Sequence, residues 1–231
     1  MAIFTNDGIF LNFTETPDFY QFAPGETRGF PVRGLGGDDT LFGSSDSDRF
    51  FGNMGNDILI GDAGNDDLRG GQGSDELIGD EGNDSLFGNL GSDTIQGGDG
   101  NDFIRGGQDK DTLLGGNGDD TLYGDLGADS LIGDAGADIF VLNSELIVNP
   151  LNADFIGDYN FRDGDRIALP VNVAPSEILI LAGNSTTVSG RLPFGSNDQV
   201  LFRGDAILGV IFGASSDDVN RGLISGNSVP I

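Results

Sequence analysis

Aspartate recurs at every ninth residue over a long stretch of this 231-residue sequence. Twelve aspartates share that spacing without an insertion: Asp39, Asp48, Asp57, Asp66, Asp75, Asp84, Asp93, Asp102, Asp111, Asp120, Asp129 and Asp138. Carboxylate oxygens suit hard cations. Calcium accepts about six to eight oxygen ligands in a flexible geometry, whereas magnesium demands a stricter octahedral one. The sequence contains no Cys and no His, which disfavours zinc. The spacing therefore predicts a series of calcium sites.

The stretch from Gly34 to Val141 divides into 12 consecutive nonapeptides. Position 1 is Gly and position 6 is Asp in all 12, and position 8 is always Leu, Ile or Phe. Position 4 is Gly in ten repeats, and Asp46 and Asp109 stand there in the other two. A short fixed period of this kind indicates a repeat architecture. The alternative, in which the aspartates merely form Gly-rich turns, is disfavoured because position 6 never varies.

The period predicts the local structure of each repeat. Gly at positions 1 and 4 favours a tight turn with positive φ. Positions 7 to 9 predict a short strand whose middle side chain points opposite to its neighbours. Two nonapeptides then close one flattened coil, and stacked coils pair their strands in parallel about 4.8 Å apart. We therefore predict an all-β fold, a right-handed parallel β-roll of about six coils with N-terminal and C-terminal caps.

The position-8 residues are the predicted core of the roll. They are Leu41, Phe50, Leu59, Leu68, Leu77, Leu86, Ile95, Ile104, Leu113, Leu122, Leu131 and Phe140. One apolar residue in nine makes a thin core that cannot hold the fold unaided. Repeats of equal parity stack on one edge, so the aspartates form two columns. Neighbouring carboxylates repel by about 1 kcal/mol in water, and carbonyl oxygens of the turns complete an all-oxygen cage for a cation between them.

The pattern G-G-x-G-x-D-x-U-x resembles the calcium-binding RTX repeat of the parallel β-roll, found in secreted bacterial toxins, proteases, lipases and alginate epimerases. The resemblance implies that each ion lies between the position-6 aspartates of two turns of equal parity, with carbonyls of positions 1 to 4. It implies up to ten interior Ca²⁺ sites, about five for each column. The position-4 glycines implied at these sites are Gly37, Gly55, Gly64, Gly73, Gly82, Gly91, Gly100, Gly118, Gly127 and Gly136. We expect incomplete occupancy at the Asp46 and Asp109 turns, the latter also carrying Lys110.

Composition limits the classes of partner. The net charge of −27 argues against nucleic acid and anionic membranes. The lack of Cys excludes disulfides, and no apolar run is long enough for a membrane span. The N-terminal residues lack the basic and apolar regions of a cleavable signal peptide.

The chain divides into three predicted parts. Residues 1–33 form an N-terminal cap, with a strand over Ile9–Phe13 and a decayed repeat, Gly25–Arg33, that has Phe30 in the Asp position and so should bind no ion. Residues 34–141 form the calcium-binding roll. Residues 142–231 form a β-rich cap with strands over Glu177–Ala182, Gln199–Phe202 and Ala206–Phe212.

Two short motifs of the C-terminal cap have competing interpretations. We interpret Arg203-Gly204-Asp205 as a hairpin turn between two strands rather than a recognition motif. The stretch 154–169 resembles the segment that closes the roll in RTX proteins and precedes a type I secretion signal. Its carboxylates Asp163 and Asp165 are expected in a solvated turn.

Catalysis finds no support in the residue types. Without His or Cys, no serine or cysteine triad and no histidine metal site can form. We expect a non-enzymatic, secreted, calcium-folded β-roll with a structural, cell-surface or matrix role. The alternatives are a polysaccharide-binding module and an accessory domain for a separately encoded enzyme.

The outer strand positions define two further surfaces. On one sheet, which we call the apolar face, position 9 reads Phe42, Ile60, Ile78, Gln96, Leu114 and Ile132. An exposed apolar stripe predicts coverage by the C-terminal segment or by a second chain in a homodimer. On the other, the arginine–aromatic face, position 9 reads Arg33, Phe51, Arg69, Phe87, Arg105 and Tyr123. This alternation predicts either a stiffening cation–π ladder or a platform for acidic polysaccharide.

Overall fold

The computed structural model describes residues 5–6, 11–26, 30–142, 153–169, 179–182, 199–203, 206–211, 214 and 216–225. In chain order the strands are β1 (Thr5–Asn6), β2 (Leu11–Asn12), β3 (Phe19–Gln21), β4 (Val32–Gly36), β5 (Thr40–Ser44), β6 (Arg49–Met54), β7 (Ile58–Ala63), β8 (Asp67–Gln72), β9 (Glu76–Glu81), β10 (Ser85–Leu90), β11 (Thr94–Asp99), β12 (Phe103–Gln108), β13 (Thr112–Asn117), β14 (Thr121–Leu126), β15 (Ser130–Ala135), β16 (Ile139–Val141), β17 (Asp154–Ile156), β18 (Arg166–Leu169), β19 (Leu179–Ala182), β20 (Gln199–Arg203), β21 (Ala206–Ile211) and β22 (Leu223–Ser225). One helix, α1, spans Ser216–Gly222.

These strands form two sheets of 11 strands each. The first sheet has the order β1-β2-β4-β6-β8-β10-β12-β14-β16-β18-β22, and the second has the order β19-β20-β21-β17-β15-β13-β11-β9-β7-β5-β3. Even and odd strands alternate between the sheets throughout the repeats, so two nonapeptides make one coil. Strands of the repeats pair in parallel, with Leu86 opposite both Leu68 and Ile104. The predicted all-β parallel β-roll is confirmed.

The core is the predicted single file of position-8 side chains. All 12 of them, from Leu41 to Phe140, are 0% exposed. The in-register pairing explains this, because a residue in a parallel stack meets the equivalent residue of the next coil. Val32 of the decayed repeat extends the file and is also 0% exposed.

The strands are longer than the sequence pattern predicted. A typical strand has six residues, as in β7, and combines positions 7 to 9 of one repeat with positions 1 to 3 of the next. Position 1 therefore lies inside a strand, and none of its glycines has positive φ. The prediction of positive φ is wrong there, whereas it holds at nine of the ten position-4 glycines, Gly127 being the exception.

Position 1 needs glycine because of space. A Cβ atom on Gly52 would lie 2.1 Å from Asp57 Oδ2 and 2.7 Å from the Gly70 carbonyl oxygen. At position 4 the conflict is with the previous turn, since a Cβ on Gly73 would lie 1.8 Å from the Gly55 carbonyl oxygen. The absence of a side chain thus lets carboxylates, strands and turns approach one another closely.

Position 2 is the left-handed residue that the sequence interpretation missed. Eleven of the 12 repeats have positive φ there: Leu35, Asn53, Asp62, Gly71, Asp80, Asn89, Gly98, Gly107, Gly116, Asp125 and Asp134. Asn, Asp and Gly tolerate this conformation best, and they occupy position 2 in ten repeats. The residue types at position 2 therefore indicated the left-handed conformation.

The N-terminal cap continues both sheets as one longer coil. Leu11 pairs with Val32 and Tyr20 pairs with Leu41, so the offset is 21 residues (32 − 11 and 41 − 20) instead of the 18 that separates Leu68 from Leu86. The strand predicted over Ile9–Phe13 is β2, and residues 7–10 lie outside the described part. Packed aromatic rings close the open end of the core: Phe13, Tyr20, Phe22 and Phe50.

The C-terminal cap adds further coils with irregular connections. Ile156 pairs with Leu131 and Ile167 pairs with Phe140, and β21 and β22 follow on the two sheets. Strands β20 and β21 form the antiparallel pair expected around the Arg203-Gly204-Asp205 turn, of which Gly204 and Asp205 lie outside the described residues.

Helix α1 was not predicted. Its Val219 is buried, and the carbonyl oxygen of its Asp218 accepts a hydrogen bond from Tyr159 at 3.2 Å. Within the described ranges, no helix has the length and apolarity needed to cross a membrane.

Candidate metal centre

The 12 position-6 aspartates are buried, with exposures between 0% and 3%. Each occupies the end of a turn, directly before the strand that carries its core residue. Those of equal parity lie above one another, so the structure contains the two predicted columns. One column runs from Asp39 to Asp129 and the other from Asp48 to Asp138.

Within a column, the aspartates are joined by a repeating hydrogen bond. The backbone N–H of Asp57 donates to Oδ1 of Asp75 at 2.8 Å, and that of Asp66 donates to Oδ1 of Asp84 at 2.7 Å. The same bond recurs in every coil of the roll, over distances from 2.7 to 3.0 Å. One carboxylate oxygen per aspartate is thus satisfied by the protein itself.

The second carboxylate oxygen is not satisfied. In 11 of the 12 aspartates, Oδ2 is buried and makes no hydrogen bond within the described residues: Asp39, Asp57, Asp66, Asp75, Asp84, Asp93, Asp102, Asp111, Asp120, Asp129 and Asp138. A buried polar atom without a partner costs about 1–3 kcal/mol, and more when charged. The regular repetition of these unpaired oxygens indicates that a cation is the missing partner.

The surroundings of Oδ2 fit an oxygen-preferring ion. A Cβ built on Gly61 would lie 2.0 Å from Asp66 Oδ2 and 2.8 Å from the Gly79 carbonyl oxygen, so these two oxygens flank one point. In the described part of the chain, no three acidic side chains are arranged to hold a metal by themselves. The backbone carbonyls beside Oδ2 are oxygens of the kind that calcium accepts as further ligands.

The electrostatics lead to the same conclusion. Burial is the main cause that raises the pKa of Asp66 and Asp75 to about 7, with smaller contributions from neighbouring carboxylates. Burial likewise raises the pKa of Asp111 and Asp120 to about 8. The hydrogen bond from the backbone N–H acts in the opposite direction but is outweighed. Ionised columns are therefore costly at neutral pH unless a cation neutralises them.

The turn at Asp46 departs from the others. Neither Ser44 nor Asp46 has positive φ. The Oδ2 atom of Asp48 accepts hydrogen bonds from the Ser44 N–H at 2.9 Å and the Ser44 hydroxyl at 3.2 Å. The Asp46 carboxylate accepts the Gly25 N–H. Protein donors thus occupy this turn, which supports the expectation of incomplete occupancy here.

The turn at Asp109 keeps the common geometry. Asp109 adopts φ 75°, so it takes the left-handed conformation of the glycine it replaces. The next aspartate, Asp111, retains a buried Oδ2 without a hydrogen bond. This geometry gives no support for lower occupancy at the Asp109 turn.

A second ladder, at position 5, was not foreseen. The Asn56 side chain accepts the Ser74 N–H at 2.8 Å, and the Asn65 side chain accepts the Asn83 N–H at 2.9 Å. Short polar side chains (Asp, Asn or Ser) fill position 5 in nine of the 12 repeats, which was the available signal. The ladder fixes the spacing of the turns outside the aspartate columns.

Two carboxylates of the C-terminal cap behave differently from each other. Asp163 is exposed, as expected of a solvated turn. Asp165 is only 4% exposed, and its Oδ1 accepts the Asp138 N–H at 3.1 Å. The expectation of a solvated turn is wrong for Asp165, because this residue continues the aspartate column beyond the repeats.

Two parallel sheets joined by Gly-rich turns that bury paired carboxylates define a parallel β-roll with sites suited to calcium. Residues 33–140 match the family model of the RTX calcium-binding nonapeptide repeat, in six overlapping segments. This part of the chain therefore consists of RTX calcium-binding repeats. No curated protein matches the chain.

Proposed function

We propose that this protein is a secreted β-roll whose folding is driven by Ca²⁺ and whose role is structural, at a cell surface or in a matrix. The observation that carries the proposal is the array of 11 buried Oδ2 atoms without hydrogen bonds. Forty glycines make the chain costly to order, and the core is thin. Ion binding must then supply much of the folding free energy.

The proposed ligands are neighbouring aspartates of one column with backbone carbonyls of the intervening turns. An ion between Asp75 and Asp93 would satisfy their second carboxylate oxygens and remove the repulsion between them. Up to ten interior sites follow, about five for each column. No catalytic role is proposed. Export as an unfolded chain is supported by the occurrence of RTX repeats in secreted bacterial proteins, because a low-calcium cytoplasm would leave the roll unfolded.

Calcium titration followed by far-UV circular dichroism tests this function. We expect little β-structure in chelator and a β-rich spectrum in millimolar calcium, with magnesium a poor substitute. Asp75→Asn should raise the calcium concentration at the midpoint. Glu76→Gln is the matched control, because Glu76 is the exposed neighbour of Asp75 and lies outside the column. An identical spectrum with and without calcium would refute the proposal.

Polysaccharide binding is a second candidate function, favoured by the arginine–aromatic face. Position 3 on the first sheet alternates apolar residues with glutamine, and Met54, Leu90 and Leu126 are 51%, 40% and 39% exposed. A shallow depression of about 520 Å³ lies beside Leu90 and Leu126 and is also lined by Phe87 and Arg105. Half-buried rings beside exposed apolar side chains can pack against the apolar faces of sugars.

The arginines of this face already have partners. Arg69 lies 5.4 Å and 5.0 Å from the ring centres of Phe51 and Phe87, as the ladder interpretation expects. Arg105 donates two hydrogen bonds to the Asp125 carboxylate, at 2.8 and 2.9 Å. An acidic polysaccharide would therefore compete with Asp125 for the guanidinium group.

That competition supplies a direct test. With calcium present, Asp125→Asn should strengthen the binding of an acidic polysaccharide such as alginate, and Arg105→Gln should abolish it. Lys110→Gln removes a positive charge from a turn instead and should have little effect. If alginate does not bind the wild-type protein, or if Arg105→Gln leaves its affinity unchanged, this face is only a structural ladder.

A further inference from the structure

The ends of the two aspartate columns are closed in different ways. At the start of the first column, Asp18 precedes Asp39, whose Oδ1 accepts the Asp18 N–H at 2.8 Å. The second oxygen of Asp18 accepts the Thr14 N–H at 2.9 Å and the Thr14 hydroxyl at 2.8 Å. Ser44 satisfies Asp48 at the start of the other column in the same manner. Protein donors thus close both N-terminal ends.

One C-terminal end is closed by the protein as well. Asp165 follows Asp138, and its Oδ2 accepts the Asn160 N–H at 2.7 Å. Both oxygens of Asp165 are therefore hydrogen-bonded to backbone N–H groups, since Oδ1 accepts that of Asp138. Asp165 therefore has a protein donor on each carboxylate oxygen, in contrast to the 11 repeat aspartates whose Oδ2 has none.

The remaining end, at Asp154, repeats the backbone hydrogen bonds of the ion-ready turns. The Asp129 N–H donates to Asp154 Oδ1 at 3.3 Å, and the Phe155 N–H donates to the Asp129 carbonyl oxygen at 2.7 Å. The latter bond corresponds to that between Thr112 and Asp93 within the repeats. Asp154 thus occupies the position of a repeat aspartate, although it follows Asp129 by 25 residues instead of 18.

Both carboxyl groups at this end are buried. Asp154 is 2% exposed and Asp129 is 0% exposed. Oδ2 of Asp129 makes no hydrogen bond within the described residues, and Oδ1 of Asp154 accepts the Asp129 N–H. A cation between the two buried groups would supply the partner that this oxygen lacks.

We propose that Asp129 and Asp154 hold an additional calcium ion, in a site formed jointly by the last turns of the roll and the C-terminal cap. Asp154 lies beyond residue 140, where the match to the RTX repeat ends. The inference rests on the proposed function, because it assumes that the aspartates of the repeats bind calcium. The ion would tie the cap to the roll, so this end of the protein orders only when calcium is bound.

Counting ions in the full-length protein tests the site. Asp154→Asn retains an oxygen for the Asp129 N–H but removes the charge, and we expect it to bind one calcium ion fewer than the wild type. The count is made by elemental analysis after dialysis at fixed free calcium, with circular dichroism to confirm folding. Asp165→Asn is the matched control from the closed column end and should lose no ion. Asp163→Asn, at an exposed carboxylate, is a second control.

Each outcome has a distinct meaning. A wild-type protein that binds no calcium contradicts the proposed function itself. A wild-type protein that binds calcium, together with an unchanged count in Asp154→Asn, overturns only the site at Asp154. If Asp154→Asn does not fold, a calcium-specific anomalous difference map of wild-type crystals decides. A peak between Asp129 and Asp154 supports the site, and its absence beside peaks elsewhere in the columns rules it out.

Discussion

At the scale of single residues, the roll buries carboxylate oxygens that receive no hydrogen bond from the protein. Each buried aspartate receives one backbone N–H, and 11 of the 12 receive no donor on Oδ2. Glycine at position 1 leaves the space in which this oxygen and a carbonyl oxygen can meet. Ser44 shows the alternative, because its backbone N–H and its hydroxyl both donate to Oδ2 of Asp48. A small change in one turn thus converts a cation site into a closed turn.

The raised pKa values predict that calcium competes with protons. The columns contain pKa values of about 6 at Asp57 and Asp93 and about 8 at Asp111 and Asp120, raised chiefly by burial. The ion-free fold therefore binds more protons than the unfolded chain and loses stability as pH rises from about 4 towards 8. Calcium displaces those protons, so its apparent affinity should increase over the same window.

Calorimetric titration with calcium at pH 6 and pH 8 measures this effect. We expect a higher calcium midpoint at pH 6. The heat should also depend on the ionisation enthalpy of the buffer, because protons are released. Constant ionic strength controls for screening of the surface charge. Equal midpoints at the two pH values, with no dependence on the buffer, would contradict the competition.

At the scale of the elements, the caps determine what remains exposed on the sheets. On the apolar face, Phe19 of the N-terminal cap contacts Phe42, with ring centres 5.6 Å apart. At the other end Gly157 packs close to Ile132, since a Cβ there would lie 3.2 Å from Ile132 Cγ1. The middle of the stripe is half-buried, including Ile78. Coverage of this middle part by a second chain stays a prediction.

Association through the apolar face can be tested at Ile78. In calcium, we expect the wild type to sediment as a dimer and Ile78→Lys to sediment as a monomer with an unchanged circular dichroism spectrum. Thr94→Lys is the control, because Thr94 lies exposed on the neighbouring strand β11 of the same sheet. The same molar mass for the wild type and Ile78→Lys would show that the face does not mediate association.

At the scale of the whole molecule, net charge and topology act together. A chain of net charge −27 repels itself when it lacks counter-ions. Strands that pair within a sheet are separated along the chain by a full coil. Contacts between residues close in sequence therefore contribute little to the stability of the roll. Bound ions offset both costs, since each one neutralises carboxylates and joins two coils.

Calcium should therefore change the dimensions of the molecule. We expect a radius of gyration of about 50 Å in chelator and about 17 Å in calcium, from the scaling for unfolded and compact chains of this length. Small-angle X-ray scattering measures both states, and sodium chloride at equal ionic strength is the control. A compact molecule in chelator would show that the caps and the core hold the roll without ions.

The nonapeptide period by itself was sufficient for the parallel roll, the file of core residues from Leu41 to Phe140 and the two aspartate columns. A strict repeat leaves one register in which equivalent residues stack, so a local pattern determines long-range pairing. The residue types at positions 2 and 5 of the repeats were informative as well. The left-handed residue and the polar ladder could have been predicted from their Asn, Asp, Ser and Gly content.

Only the tertiary structure decided what happens where the period fails. Asp154 and Asp165 follow the last repeats at irregular distances, so no spacing rule assigns them to the aspartate columns. The sequence also does not show that the column end at Asp165 is closed by protein donors whereas the end at Asp154 is not. Ser44 likewise closes its turn through the backbone conformation of that turn. Whether a buried oxygen is left without a hydrogen bond depends on donors brought from distant parts of the chain, and these donors become visible only once the coils are stacked.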